Sequence, residues 1–455
     1  MKAFCAAFLL IVAVAPAHLT YAETPGAGLG GLAALLQDHH HMETSSPALT
    51  LDEIERIALA ANPEIEVAVR RVAVAQAHVP IAGALDDPMG MVREWGVPLR
   101  KPWDLNAAQD MLSLSQTFSA RSKRSLRTSE ADSDVILAKL QLEQVRLDLR
   151  VRVHKSFNDL LRVQDELRIH DEHLGIARQA IQAAEIKYAV GKVPQQDMLK
   201  AQVALTRLAE HMIAIEQDGE LAQARLNTLL ARDPAAPLRV EGQHPVMEAL
   251  PSMQSLEDLA LQSRPDLAMA RAAADRSHKE QALARKAYIP DLTVSAGYML
   301  MPTGSEMRNN YMVEGTINLP WLNKRKHDAE IAEATVRITE QDAELAAMRN
   351  AAFGQIQEAL VETRGSQRLV EMYQRQLRPQ AEATLQSSVI AYENGKTELL
   401  DLLDSQMTLI DIDLARLQAV ANFDTHLADL ELATGASLEE LKTDQLKTTA
   451  PEVKP

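Results

Sequence analysis

Residues 188–199 read YAVGKVPQQDML, and residues 392–403 read YENGKTELLDLL. Each opens on Tyr, reaches Gly-Lys three residues later and runs into an apolar stretch that carries Asp. A chain that says nearly the same thing twice is read first as a repeat. The rest of the sequence keeps the spacing. Asn62-Pro63-Glu64-Ile65 returns 202 residues later as Arg264-Pro265-Asp266-Leu267. Pro88 is answered by Pro290, and Ser122-Lys123-Arg124 by Lys324-Arg325-Lys326, at that same distance. Gly191 and Gly395 lie 204 apart. The drift is small enough that one long unit, duplicated, accounts for all of it.

The units are 49–253 and 254–437. Both have one order: a helix (about 52–85, then 255–287), two short strands, a very long helix (about 122–188, then 324–392), the Gly-Lys turn, and a further helix (about 196–231, then 398–434). Thr50 with Glu53 three residues on has the pattern of a capping box, which places the first helix start. The strands fall at about 88–97 and 110–119, then 291–300 and 311–320. Leu292, Val294, Ala296, Tyr298 and Leu300 alternate with Thr293, Ser295, Gly297 and Met299, the period of a strand with one apolar face. About ten residues per strand suits a tilted bilayer crossing. In the long helix, Val153, Leu160, Leu167, Leu174, Ile181 and Tyr188 recur every seven residues, the seam of a coiled coil. At 1.5 Å per residue such a helix runs about 100 Å. Pro379 stands where the first unit has Gly175, and a weakened turn is expected at that level in both.

Around the units lie other segments. Lys2 and the apolar run to Ala17, ending in Thr20-Tyr21-Ala22, read as a signal peptide over 1–22. Cys5, the only cysteine, lies within it, so the mature chain has no thiol chemistry. Residues 23–48 form a flexible arm and 438–455 a polar tail. The net charge of −16, with no basic stripe, argues against a nucleic-acid partner. No phosphate loop, zincin motif or serine elbow is present, so the chain is not expected to be an enzyme or to need a cofactor. Beyond the signal, no apolar run is long enough for a membrane helix, which leaves a periplasmic, secreted or strand-built membrane protein. Four strands cannot close a barrel, and an open edge cannot face lipid, so several chains must share one. Two chains give eight strands; three give twelve, a wider lumen and approximate sixfold symmetry.

The stretches LTLDEIERIALAANPEI, YAVGKVPQQDML, ARLNTLLARDP, RPDLAMARAA, INLPWLNKRK and YENGKTELLDLLDSQ, in that order and duplicated, resemble the TolC-like outer-membrane factor family over about residues 49–437. The resemblance implies a mainly α trimer with a shared twelve-stranded membrane β-barrel and a periplasmic α-helical tunnel. It implies a homotrimer in outer-membrane lipid, working with a periplasmic adaptor and an inner-membrane pump of RND type. The turns at Gly191-Lys192 and Gly395-Lys396 would be the adaptor-contact tips. Asp401 and Asp404 match the family's double-aspartate gate, and a spacing of three puts both on one helix face. Three chains would stack two carboxylate rings that attract cations. Asp197 and Tyr392 match further members of the closing network. The sequence departs from the family at Thr397, where an arginine is common.

GYMLMP…NLPW is similar to the heavy-metal (copper or cobalt–zinc–cadmium) branch. His39-His40-His41-Met42 offers imidazole and thioether ligands for copper, silver or zinc. The run also reads as incidental to the arm. Met299, Met301, Met307 and Met312 near the second external loop also read as apolar filler. His170 and His173 share a helix face and read as solvated. Arg121, Lys123 and Arg124, and Lys324, Arg325 and Lys326 with Trp321, read as an interfacial anchor or as solvated helix starts. The expected function is the outer-membrane channel of a tripartite metal-efflux system. Multidrug efflux, type I protein secretion and a soluble periplasmic coiled-coil scaffold remain alternatives.

Overall fold

The computed structural model describes residues 48–95, 99–100, 109–191, 194–244, 250–301 and 309–437. The signal segment, the arm with His39–Met42, Lys192, Met307 and the polar tail lie outside the described residues. Helices α1 (Leu51–Ala61) and α2 (Pro63–Gly83) lead to strands β1 (Met89–Trp95) and β2 (Gln109–Phe118), then to α3 (Arg121–Ala189) and α4 (Gln195–Leu229). The order then recurs as α5 (Met253–Ser263), α6 (Pro265–Arg285), β3 (Leu292–Leu300), β4 (Asn310–Ile317), α7 (Lys324–Met372), a π turn (Tyr373–Leu377), α8 (Arg378–Glu393) and α9 (Leu399–Thr434).

Local chemistry sets the boundaries. The Glu53 carboxylate accepts from the Thr50 backbone N–H at 3.0 Å and from its hydroxyl at 3.1 Å, fixing the α1 start. α1 and α5 stop where a residue before proline is pushed to extended backbone, Asn62 at ψ 126° and Arg264 at ψ 118°. Those two residues differ, yet each ties its break to the end of its unit's last helix. Asn62 donates to the Leu229 carbonyl at 3.0 Å, and Arg264 donates to the Ala433 carbonyl at 2.8 Å. Each unit also closes a core on equivalent residues: Ile54, Val153 and Leu226 in the first, Leu256, Ile356 and Leu430 in the second.

α3 is the centre of the helical layer. α2 and α4 pack against it, as do α6 and α9 from the second unit; α7 packs beyond them, on α6 and α9. α2 covers the half of α3 from about Thr128 to Arg152, and α4 covers the remainder past Val163. Two short helices thus run along one long one. The heptad positions Val153, Leu160, Leu174 and Ile181 are buried, Leu167 is half-buried, and Tyr188 at the end is exposed. A weakened turn occurs only in the second unit. There the Arg378 N–H reaches back to the Tyr373 carbonyl, one residue further than in an α-helix. Pro379 has no N–H to give and its ring crowds the preceding turn, so the helix widens. Gly175 keeps its N–H, and α3 continues through it unbroken.

The four strands form one antiparallel sheet in the order β1-β2-β3-β4. Its register aligns the two repeats: Leu112 faces Tyr298, and Ala296 faces Val313. The apolar face is the bare one. Leu112 is 63% exposed and Val313 78%, whereas Ser113 and Ser115 on the opposite face are 8% exposed. Gly297 lies on that covered face, and a Cβ there would come within 3.1 Å of the Leu112 carbonyl and of Ser113. A larger residue there would require those neighbours to give by a few tenths of an ångström. Among the described residues, no helix is long and apolar enough to cross a membrane.

Two surface expectations change. Lys123 is not part of an exposed basic cluster: it is buried, with Nζ at 3.0 Å from both carboxylate oxygens of Asp291. Its charge is spent joining α3 to the segment before β3. Arg121 stays exposed, as do Lys324, Arg325, Lys326 and Trp321 in the second unit. His170 and His173 are not solvated either. α4 and α9 pack over that face of α3, leaving them 3% and 5% exposed.

Candidate functional site

The site is the pair of turns that end α3 and α8. Both depend on a glycine in the left-handed region, Gly191 at φ 73° and Gly395 at φ 68°. The Gly191 N–H donates to the Tyr188 carbonyl at 2.8 Å, and the Gly395 N–H donates to the Tyr392 carbonyl at 3.1 Å. In the second turn the Lys396 N–H also reaches the Ala391 carbonyl at 2.9 Å. The chain then reverses into α4 or α9, whose first turns carry Asp197 and Asp401. Acids there complement the positive end of the helix dipole.

Asp401 and Asp404 are exposed on one face of α9, while Leu402 and Leu403 between them are buried against neighbouring helices. The Thr397 hydroxyl donates to the Asp401 carboxylate. A neutral side chain, not an arginine, is what meets Asp401 within this chain. Asp197 is half-buried. Tyr392 is 6% exposed, and its hydroxyl has no hydrogen-bond partner among the described residues. Burial, and then the Asp197 charge, push that phenol above its usual range. What Tyr392 does touch is Lys187, from α3. The ammonium lies 3.5 Å from the ring centroid and donates to the Tyr392 carbonyl at 3.0 Å. Gly395 and Lys396 are exposed. The structure therefore brings Asp197 and Tyr392 into one charge environment and puts Asp401 and Asp404 on a separate open face.

Further up α3, polar groups join the two units. His244 Nδ1 lies 2.6 Å from Asp424 of α9, and its Nε2 lies 3.4 Å from Asp165 of α3. Bonding to Asp165 and to Asp424 pushes His244 up to about 9, so it is cationic at neutral pH. Burial keeps Asp424 above the usual carboxylate range despite that partner. Asp413 is buried; against that burial, His173 and Arg378 hold its carboxyl below the usual range. His170 stacks on His211 at 6.2 Å, and burial, reinforced by His211 and His173, lowers its affinity for a proton. No three potential ligands converge on a metal position among the described residues.

Lys187 and His244 are the residues that sequence reading missed. Neither lies in a repeated phrase, and each has a partner in the other unit, Tyr392 for Lys187 and Asp424 for His244. Their one signal is position: Lys187 is the last basic residue before the first turn, and His244 lies near the end of the first unit, past its last helix.

A family model described as outer membrane efflux protein matches residues 104–232 and 256–436. Over 290 residues the chain is 30% identical to the cobalt-zinc-cadmium resistance protein CzcC of Cupriavidus metallidurans, across 63% of this chain and 68% of that protein. Over 400 residues it is 26% identical to the pyoverdine export outer membrane protein OpmQ of Pseudomonas aeruginosa, across 81% and 83%. The solved structure of the outer membrane protein VceC from Vibrio cholerae superposes with a TM-score of 0.69 at 19% identity, covering 85% of this chain and 96% of that one. CusC superposes with a TM-score of 0.69 at 17% identity, covering 85% and 92%. The fold is TolC-like: a long-helix layer ending in a small membrane sheet.

Proposed function

Because the chain belongs to the outer membrane efflux protein family, and is thus an outer-membrane channel with a periplasmic tunnel rather than an enzyme, we propose that three copies form the exit duct of a tripartite system for heavy-metal cations. The observation that carries the assembly is the sheet, with its apolar face bare and β1 and β4 each paired on one side only. Such edges are tolerable in lipid only if they pair with other copies, and three sheets give twelve strands. The helical layer has matching open sides. Val67, Val74 and Ile81 are exposed on α2, and Val336 and Val361 on α7. A periplasmic adaptor would meet the turns at Gly191-Lys192 and Gly395-Lys396, and an inner-membrane pump of RND type would load the duct.

The metal reading rests on the likeness to the cobalt-zinc-cadmium resistance protein and on the acids of α9. In a trimer, Asp401 and Asp404 would make two stacked rings of carboxylates at the tip, favouring cations. His39, His40, His41 and Met42 of the arm would supply soft ligands. Planar-bilayer recordings test the acid rings. Asp401→Asn with Asp404→Asn is expected to lower cation over anion selectivity; unchanged selectivity refutes the gate. Growth of a deletion strain on copper, silver, zinc, cobalt and cadmium salts tests the cargo. Selective hypersensitivity to one or two metals supports it. The second reading, export of an organic chelator, draws on the likeness to the pyoverdine exporter over most of the chain. Sensitivity to organic compounds with metals unaffected would select that reading instead.

A further inference from the structure

The two tips carry the same residue in different states. Tyr188 precedes Gly191 by three and is exposed; Tyr392 precedes Gly395 by three and is buried. The turns have the same glycine geometry, so the turn itself does not explain the burial. A cation covering one ring is part of the difference. Lys187 belongs to the last turn of α3, and its ammonium crosses to the other unit, onto the Tyr392 ring face and carbonyl.

That carbonyl belongs to the last turn of α8, where helical acceptors run out. Lys187 is also the one basic residue in the last turn of its own helix. A positive group there complements the negative ends of two helix dipoles at once. The ammonium–ring contact and the hydrogen bond act on a single residue, and both break if the α8–α9 hairpin moves away from α3.

We propose that Lys187 is the latch of the closed tip, holding the hairpin that carries Asp401 and Asp404 through the ring face and backbone carbonyl of Tyr392 and not through the Tyr392 hydroxyl. The proposal rests on the reading of the tip as a gate. It places the restraining cation on the first unit, where the family's arginine would have stood at position 397 of the second. Thr397 bonds Asp401 four residues along its own segment, and among the described residues no hydrogen bond ties its side chain to the other unit. Lys187 is a positioning residue: it acts on the aperture by holding a hairpin.

The test uses the purified full-length channel in planar bilayers, with single-channel conductance as the readout. Lys187→Met removes both contacts, and the open probability is expected to rise about tenfold. Lys187→Arg keeps a cation, a donor and a planar group able to stack, and should stay within about twofold of the parent. Tyr392→Phe keeps ring and carbonyl and should also match the parent, whereas Tyr392→Leu removes the ring and keeps the carbonyl, and should open the tip more than Tyr392→Phe but less than Lys187→Met. Far-UV thermal melts of every variant separate an opened tip from a damaged fold. If Lys187→Met keeps the parent's open probability, the latch is overturned. If Tyr392→Phe opens the tip as widely as Tyr392→Leu, the hydroxyl is the holding group and the proposal fails. The Asp401→Asn, Asp404→Asn selectivity measurement on the same preparation keeps the two readings apart. A selectivity loss there with no response at Lys187 spares the gate and rejects the latch. No selectivity change rejects the gate and the latch with it.

Discussion

Where the first unit has Ala231, the second has Gly435; where the first has Lys123, the second has Arg325; where the first has Gly175, the second has Pro379. Equivalent positions carry different loads. Ala231 and Gly435 both take a left-handed conformation, at φ 54° and φ 79°. Only at Gly435 is the backbone of another segment in the way: a Cβ would lie 2.8 Å from Arg264 Cα. Lys123 is buried on Asp291, while Arg325 is exposed. The difference follows from placement. α3 has neighbours from both units, whereas α7 packs on α6 and α9 and is largely bare over its first half. A duplicated chain folded as an open layer gives one copy of the long helix a central position and the other a peripheral one.

Paired substitutions can break that comparison. Gly435→Ala should be the most damaging, about 3 kcal/mol, because it combines a clash against backbone with left-handed strain. Its counterpart Ala231→Gly should stabilise by about 1 kcal/mol, since it relieves a left-handed alanine. Urea unfolding of the detergent-solubilised protein would measure both; equal effects would erase the asymmetry. Lys123→Met should cost about 2 kcal/mol by leaving Asp291 without its partner, and Arg325→Met should fall within about 0.5 kcal/mol of the parent. The same melts read both.

A third comparison is by pH. The folded chain holds His244 at about 9, against an ordinary histidine value near 6.5. The stability it contributes is therefore full below about 6.5 and is lost as pH rises through about 9. Melting temperature should decline across that window, and His244→Gln should flatten the decline; a parallel slope in the variant would show that other groups cause it. A small stabilisation is expected at the proline level. Gly175→Ala should stabilise α3 by about 1 kcal/mol or less, since open space surrounds the position and the helix is regular there. Loss of stability would mean that α3 needs the same slack as the π turn in the second unit.

The helices and strands were legible because they are periodic. Heptad spacing from Val153 to Ile181, alternation from Leu292 to Leu300, and proline after Asn62 and Arg264 each act locally. The two glycine turns were legible because they too are local: Gly191 and Gly395 need no distant partner to reverse the chain. Burial of Lys123, His170 and His173 was not legible. Charged and imidazole side chains on a helix are ordinarily solvated, and only the segments that pack over them decide otherwise. Nor did Gly175 follow Pro379: equivalence of position does not remove an N–H.

The sequence by itself determined the repeat, the order of elements in each copy, the acid pair Asp401 and Asp404 on one helical face, and the apolar face of the sheet. These rest on spacing along the chain, which sequence states directly. The tertiary structure decided which face of the sheet is covered, which copy of the long helix is central, and which tyrosine of the two turns meets a cation. Those outcomes depend on contacts between residues as far apart as Lys187 and Tyr392. Two nearly identical phrases acquire different roles because packing, unlike periodicity, depends on what the other unit brings alongside.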